Sequence, residues 1–285
     1  MILLQLAVDG LLLGAVYALF SSGLTLIWGM MNVVNFAHGD FVMLAMYVAF
    51  FAFTLLKVGP VFFVPLAAVT LFVLGVIVYL GLVRHVMRGP MLAQILSTFG
   101  LALFLRYSAL WAFSANFVSL PDGLVGGNYD LGGIRLSASH LLAGATALVL
   151  TLGMHLMLTR TDLGSRMLAV SEDRVAAALI GIRADPMQAL AWGLGAGATG
   201  VAGGLIALFF YVSPEVGNSF TLLAFVTVAL GGFGSVPGAL IAGLAIGVIE
   251  SFSAYWLGPA TKDVVVFALF VVLLWVRPQG LLGRA

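Results

Sequence analysis

The chain has 285 residues, of which 62% are hydrophobic and 8% charged, with no cysteine and a formal net charge of +1. A soluble domain carries about a quarter charged residues, so this composition excludes a water-soluble fold and predicts an all-α polytopic membrane protein with about eight transmembrane helices of roughly 20 residues each. The lack of cysteine excludes disulfides, thiolate catalysis and cysteine-ligated metals, and the net charge carries no nucleic-acid signal, so lipid is expected as a contact and nucleic acid is not.

The first stretch, MILLQLAVDGLLLGAVYALF, has no basic residue ahead of its apolar run and reads as a span rather than a signal peptide. Further runs cover Leu3 to Trp28, Phe41 to Leu56, Val61 to Val83, Met91 to Phe113, Ser139 to Leu158 and Gln188 to Tyr211. A seventh, Thr221 to Ile249, is long but broken, and an eighth, Val264 to Val276, ends at Arg277 and Pro278. Arg84 and Arg88 follow the third run, and Arg160, Arg166, Arg174 and Arg183 follow the fifth, so both loops are expected on the cytoplasmic side, with Ser114 to Ala138 and the N-terminus outside. A single crossing at Thr221 to Ile249 would leave Arg277 and Arg284 outside, so that region is expected to be re-entrant and to return to the outer side.

Two interruptions stand out. In MMNVVNFAHGDFVML the polar Asn32, Asn35, His38 and Asp40 separate two apolar runs. In ALGGFGSVPGALIAG the residues Gly231, Gly232, Gly234 and Pro237 oppose a continuous helix. Interrupted segments at corresponding places in two halves point to an inverted-repeat transporter with its pathway or gate at the breaks; the other reading is a pair of kinks buried against neighbours. The first half would be residues 1–158, the loop 159–187 and the second half 188–285 of one permease-like domain. Polar groups at depth usually face a cavity or a partner, although His38 could cap a helix end and Asp40 could cap a helix beginning at Phe41. Arg106, inside the fourth run, needs a partner or a route to water, while Glu250, Lys262 and Asp263 read as an aqueous boundary. Glycines four apart, Gly193 with Gly197, Gly200 with Gly204 and Gly243 with Gly247, predict close helix contacts.

The charged loop RTDLGSRMLAVSEDRVAAALIGIRAD predicts a short helix over Glu172 to Ile180, capped by Ser171 and stopped at Gly181, with Asp185 and Pro186 opening the next span. Too short to stand alone, it leans either on the membrane interface and the protein's own ends or on a partner subunit through Glu172, Asp173, Arg174, Ala176 and Ala177. The histidines His38, His85, His140 and His155 show no metal or acid–base spacing, and neither a Walker loop nor a dinucleotide fingerprint occurs. No metal, cofactor or catalytic residue is expected, and any ATP hydrolysis would come from other subunits. A channel or secondary transporter working alone would want more ionisable residues in its spans.

Three stretches, GLTLIWGMMNVVNFAHGDFVMLAMY, AVSEDRVAAALIGIRADPMQALAWGLGAGATGVAGGL and VTVALGGFGSVPGALIAGLAIGVIES, resemble the LivH-type permeases of branched-chain amino-acid ABC importers, with Asn35 to Gly39 the most specific run. The resemblance spans essentially the whole chain. It implies a multi-pass protein of the bacterial inner membrane, a second permease subunit making a heterodimer, two ATP-binding cassette ATPases and a periplasmic or lipid-anchored substrate-binding protein. It also makes the loop with Glu172, Asp173, Arg174, Ala176, Ala177 and Gly181 the ATPase-coupling element, although the spacing differs from the Glu-Ala-Ala…Gly pattern of other importer classes. Ala45 and Met46 stand where a smaller pair is expected. The implied substrates are leucine, isoleucine and valine, with urea, short amides or other small solutes as the alternative within the same family.

Overall fold

In the computed structural model the described residues are 1–121, 123–259, 261–277 and 279–283. Eleven helices appear among them: α1 (Ile2–Met31), α2 (His38–Leu56), α3 (Pro60–Val86, with a π turn at Tyr79–Val83), α4 (Met91–Phe113), α5 (Ala138–Arg160), α6 (Asp162–Glu172), α7 (Arg174–Leu179), α8 (Ala184–Ile206), α9 (Val216–Gly231), α10 (Val236–Leu257) and α11 (Lys262–Val276). Seven of these are long and apolar enough to cross a bilayer, and α9 is a shorter apolar helix of 16 residues. A hairpin of β1 (Asn128–Leu131) and β2 (Ile134–Ser137) lies between α4 and α5.

The bundle is organised around α1, which packs against α5, α8 and α10. A Cβ placed on Gly10 would lie 2.7 Å from Val248 Cα, and one on Gly14 2.8 Å from Leu244 Cα, so α1 and α10 run antiparallel with their backbones nearly touching. Small residues permit this approach, and in lipid such packing replaces the hydrophobic drive. The glycine spacing expected at Gly243 and Gly247 therefore serves contact within the chain, as does Gly200, whose Cβ would meet the α3 backbone at Ala67 and Ala68.

One end of the bundle gathers the C-terminal end of α1, the end of α5, α6, the link between α9 and α10, and Leu282 around one cleft. Arg84, Arg88, Arg160, Arg166, Arg174, Arg183 and Arg277 belong to segments at this end, which identifies it as cytoplasmic. At the opposite end the Gln5 side chain, on the first turn of α1, bonds both backbone groups of Arg135 in β2 at 2.6 and 2.8 Å.

The broken run resolves into two antiparallel helices. α9 descends to the cytoplasmic end, residues 232–235 turn the chain, and α10 climbs outward, so α11 descends again and Arg277 lies on the cytoplasmic side as the arginine distribution requires. The tail is fixed there: Leu281 N–H donates to Leu230 O at 2.8 Å and Leu282 N–H to Gly231 O at 3.0 Å. Pro278 and Arg284 lie outside the described residues.

The loop helix differs from expectation. Ser171 caps nothing; its hydroxyl donates to Leu168 O at 2.7 Å inside α6. Asp173 is the cap instead, its Oδ1 accepting from the N–H groups of Val175 and Ala176 at 2.8 and 3.0 Å. Glu172 thus ends α6, and α7 is a separate helix of six residues. Gly181 follows it with φ +84°, the left-handed position expected of a stop.

Candidate functional site

The first interruption is a fold-back. α1 ends when Asn32 turns left-handed (φ 54°) and donates its N–H to Trp28 O at 2.7 Å. Residues 33–37 then return along α1 until His38 Nε2 donates to the carbonyl of Phe20 at 2.7 Å. Phe20 lies 11 residues before the end of α1, about 17 Å at 1.5 Å per residue. Helix α2 therefore begins near half depth in the membrane and runs only outward.

The second half repeats this device in the opposite sense, at a place the sequence did not advertise. α8 runs outward from the cytoplasmic end, residues 207–215 fold back, and α9 begins at Val216 beside the start of α2. The two helix starts touch: Gly39 N–H donates to Thr221 Oγ1 at 3.1 Å, and Thr221 Oγ1 donates to Gly217 O at 2.8 Å. A Cβ on Gly39 would lie 2.2 Å from both Gly217 O and Thr221 N, so only glycine admits this contact. The interruption at Gly231 to Pro237 is accordingly not the counterpart of the one at Asn32 to Asp40. It is the cytoplasmic hairpin between α9 and α10, placed as Lys57 to Pro60 is placed between α2 and α3 at the outer end.

Asn35, His38 and Asp40 are fully buried at the junction. Asn35 Oδ1 accepts from Ala37 N–H at 3.1 Å, which shapes the turn into α2. Asn35 Nδ2 and His38 Nδ1 are without a hydrogen-bond partner among the described residues. Asp40 does not cap a helix from Phe41, because α2 already starts at His38. Its carboxylate pairs in bidentate fashion with Arg106 of α4, Nε to Oδ1 at 3.1 Å and Nη2 to Oδ2 at 3.2 Å. This supplies the partner Arg106 needed. The Arg106 side chain is 20% exposed and that of Asp40 not at all. A Cβ on Gly217 would lie 2.5 Å from Asp40 Oδ1, so the carboxylate rests against the first turn of α9 as well as in the first turn of α2, at the positive ends of both. Beside it Glu215, Asn218 and Ser219 are exposed. α4 is held to the fold-back by Thr98 Oγ1, which donates to Val34 O at 2.8 Å, and by the ring contact of Phe36 with Phe99 at 6.3 Å, while Phe36 also meets Phe225 of α9 at 5.1 Å.

Gly234 and Pro237 line the cytoplasmic cleft of about 460 Å³, together with Asn32, Trp28, His155, Thr159, Ser171 and Phe233. The cleft joins the two sequence-predicted breaks at one rim, since Asn32 belongs to the first and Gly234 to the second, and α6 of the charged loop forms its wall. Gly231 packs against Gly238 and Gly232 against Gly283, closing the hairpin and seating the tail.

Behind the charged loop lies a polar cluster that the sequence does not announce. Tyr79 Oη donates to Asp185 Oδ1 at 3.0 Å. With the Gln188 amide turned to satisfy its surroundings, its nitrogen donates to Tyr79 Oη at 2.8 Å and its oxygen accepts from Arg174 at 3.1 and 2.8 Å. Arg174 thus ties α7 to α3 and α8, whereas Val175, Leu179 and Ile180 stay 72–84% exposed. Toward the outer end Glu250 is buried within α10 and pairs with Lys262 of α11. This corrects its reading as an aqueous boundary.

The fold is that of an all-α polytopic membrane protein with charged groups held at half depth. The family described as "Branched-chain amino acid transport system / permease component" matches residues 6–274. The high-affinity branched-chain amino acid transport system permease protein BraD of Pseudomonas aeruginosa is 33% identical over 99% of this chain and 96% of its own length. LivH of Escherichia coli is 32% identical with the same coverage, and a probable LivH of Methanocaldococcus jannaschii 27% identical over 93% of this chain and 88% of its own. No solved structure shows a significant match. The chain belongs to the branched-chain amino acid transport permease family, is a multi-pass protein of the inner membrane and works with other components of an ABC importer.

Proposed function

We propose that this chain is a permease subunit that carries branched-chain or other hydrophobic amino acids through the membrane and performs no chemistry itself. The observation that carries the reading is the meeting of the first turns of α2 and α9 inside the membrane around the paired Asp40 and Arg106, with Glu215, Asn218 and Ser219 exposed at the same level. Exposed polar side chains there would be costly against lipid, so this face meets a second permease subunit across an aqueous path. Asn35, His38 and Asp40 build its wall. Asn32, Gly234 and Pro237, at the cleft, and Gly231 and Gly232, in the hairpin behind it, form the cytoplasmic gate.

Energy enters at α6 and α7. The exposed apolar side of α7, bordered by Glu172, Asp173 and Arg174 and by the small Ala176, docks on an ATPase subunit, while Ala177 is buried and anchors α7 to the bundle instead of facing the partner, and Gly181 lets the chain turn back into α8. Closure of two ATPases pushes this unit, Arg174 passes the movement to Tyr79 and Gln188, and the cleft opens or shuts. A periplasmic or lipid-anchored binding protein delivers substrate to the outer end of the heterodimer. Reconstitution with the partner subunits tests this: leucine uptake into proteoliposomes is expected to require ATP. Uptake by a lone homo-oligomer insensitive to ATP overturns the reading, and uptake of urea or a short amide in place of leucine reassigns the substrate.

A further inference from the structure

We propose that Asp40 and Arg106 form a binding position for the two charged ends of a zwitterionic α-amino acid, Asp40 taking the ammonium and Arg106 the carboxylate as the contact between them opens. This rests on the permease reading above and names the group on the path that recognises the substrate.

An apolar amino acid crossing a membrane protein carries two full charges through a region where neither is well solvated, and an isolated buried charge is costly. One fixed charge on the protein would satisfy one end only. A preformed opposite pair satisfies both, because inserting the zwitterion replaces one ion pair by two and leaves the net charge of the site unchanged.

The two partners differ in a way that suits the exchange. Asp40 is fixed: it is fully buried, lies in the first turn of α2 and is wedged against Gly217. Arg106 is the movable one, with a partly exposed side chain on a helix whose buried residues are Thr98, Ala102, Leu105 and Ala109. Its planar fork already holds a carboxylate with two parallel bonds, the geometry a substrate carboxylate would adopt. Phe36, Phe99 and Phe225 cluster between the fold-back, α4 and α9, an apolar neighbourhood for the substrate side chain.

The test uses the assembled importer in proteoliposomes. The double variant Asp40→Asn/Arg106→Gln removes both charges while leaving none uncompensated, and is expected to insert and assemble but to lose leucine uptake by about tenfold or more. Uptake within about twofold of the native rate would mean a pair with only a structural role, and overturns the proposal. Arg106→Lys keeps the charge without the fork, so the KM for leucine is expected to rise several-fold at a preserved maximal rate; an unchanged KM also overturns it.

Because the chain has no cysteine, Asn218→Cys provides a single reporter beside the pair. Leucine is expected to slow its labelling by a water-soluble maleimide, whereas isoamylamine and 4-methylpentanoate, each with one of the two charges, do not. Equal protection by either analogue overturns the zwitterion assignment alone. Labelling that responds to neither leucine nor ATP overturns the permease reading, and this proposal with it.

Discussion

Gly39 and Gly217 show how much a single missing Cβ decides. A methyl at Gly39 would overlap the Gly217 carbonyl and the Thr221 nitrogen, both backbone atoms that cannot swing aside. Overpacking of this kind costs about 1–3 kcal/mol. Gly39→Ala is therefore expected to lower the thermal midpoint of the detergent-solubilised protein and to abolish leucine uptake by forcing the first turns of α2 and α9 apart. Gly153→Ala, where an added Cβ meets nothing within 4 Å, should leave both measurements at native values. The ion pair gives a second residue-scale test. Arg106→Gln alone strands a buried carboxylate and is expected to destabilise by about 3–5 kcal/mol, more than the double neutral variant, which strands no charge; thermal midpoints of the two variants, measured side by side, should fall in that order. The polar run Asn35 to Asp40 stands out in the sequence because charged and amide groups are conspicuous in an apolar chain. Its partner was legible only as a need: Arg106 in an apolar span demands a counter-charge, but 66 residues separate it from Asp40, and only the tertiary fold brings them together.

The charged loop illustrates the limits of local signals for whole elements. Ser171 and Asp173 are both good cap residues two positions apart, and nothing local chooses between them. The structure does so because Ser171 still belongs to α6, where its hydroxyl is occupied by Leu168 O, while Asp173 has the extended backbone (φ −150°) that a cap requires. Asp173→Ala removes two capping bonds from a helix of six residues and costs about 1 kcal/mol, enough to loosen α7 without affecting insertion. ATP hydrolysis is expected to continue while leucine uptake falls; unchanged uptake removes the cap from the mechanism. Gly181→Pro should act similarly and more severely, because proline holds φ near −65° where this position has +84°. The same contrast between loud and quiet signals explains the mismatched breaks. Glycines made residues 231–238 conspicuous, yet they form a hairpin at the cytoplasmic end. The fold-back at 207–215, ALFFYVSPE, is mostly apolar and merges with the preceding span, its only strong marks being Pro214 and Glu215.

Across the whole molecule, α1 to α4 and α8 to α11 follow one plan in opposite directions: a long glycine-bearing helix, a fold-back, a helix that starts inside the membrane, a tight hairpin and two further crossings. We propose that these are the two repeats, which moves α5 from the first half of the 1–158 division into a connector with α6 and α7; the plan places the two fold-backs together inside the membrane while sending their hairpins to opposite ends. The connector and the second-repeat hairpin then face each other across the cytoplasmic cleft, where Ser171 of α6 and Ser235 of the hairpin both line the wall. If ATPase closure moves α6 relative to that hairpin, fixing the distance between them must stop the cycle. The cysteine-free chain allows a clean test with Ser171→Cys/Ser235→Cys joined by a bifunctional maleimide. Each single variant is expected to transport leucine, and the double variant to do so until cross-linked. After cross-linking, uptake should stop while ATP hydrolysis continues, because the docking surface proposed on α7 is untouched and only its output is blocked. Transport that survives complete cross-linking would show that the cleft keeps one width throughout the cycle, and the moving boundary would then lie at the meeting of α2 and α9 rather than at the cytoplasmic end.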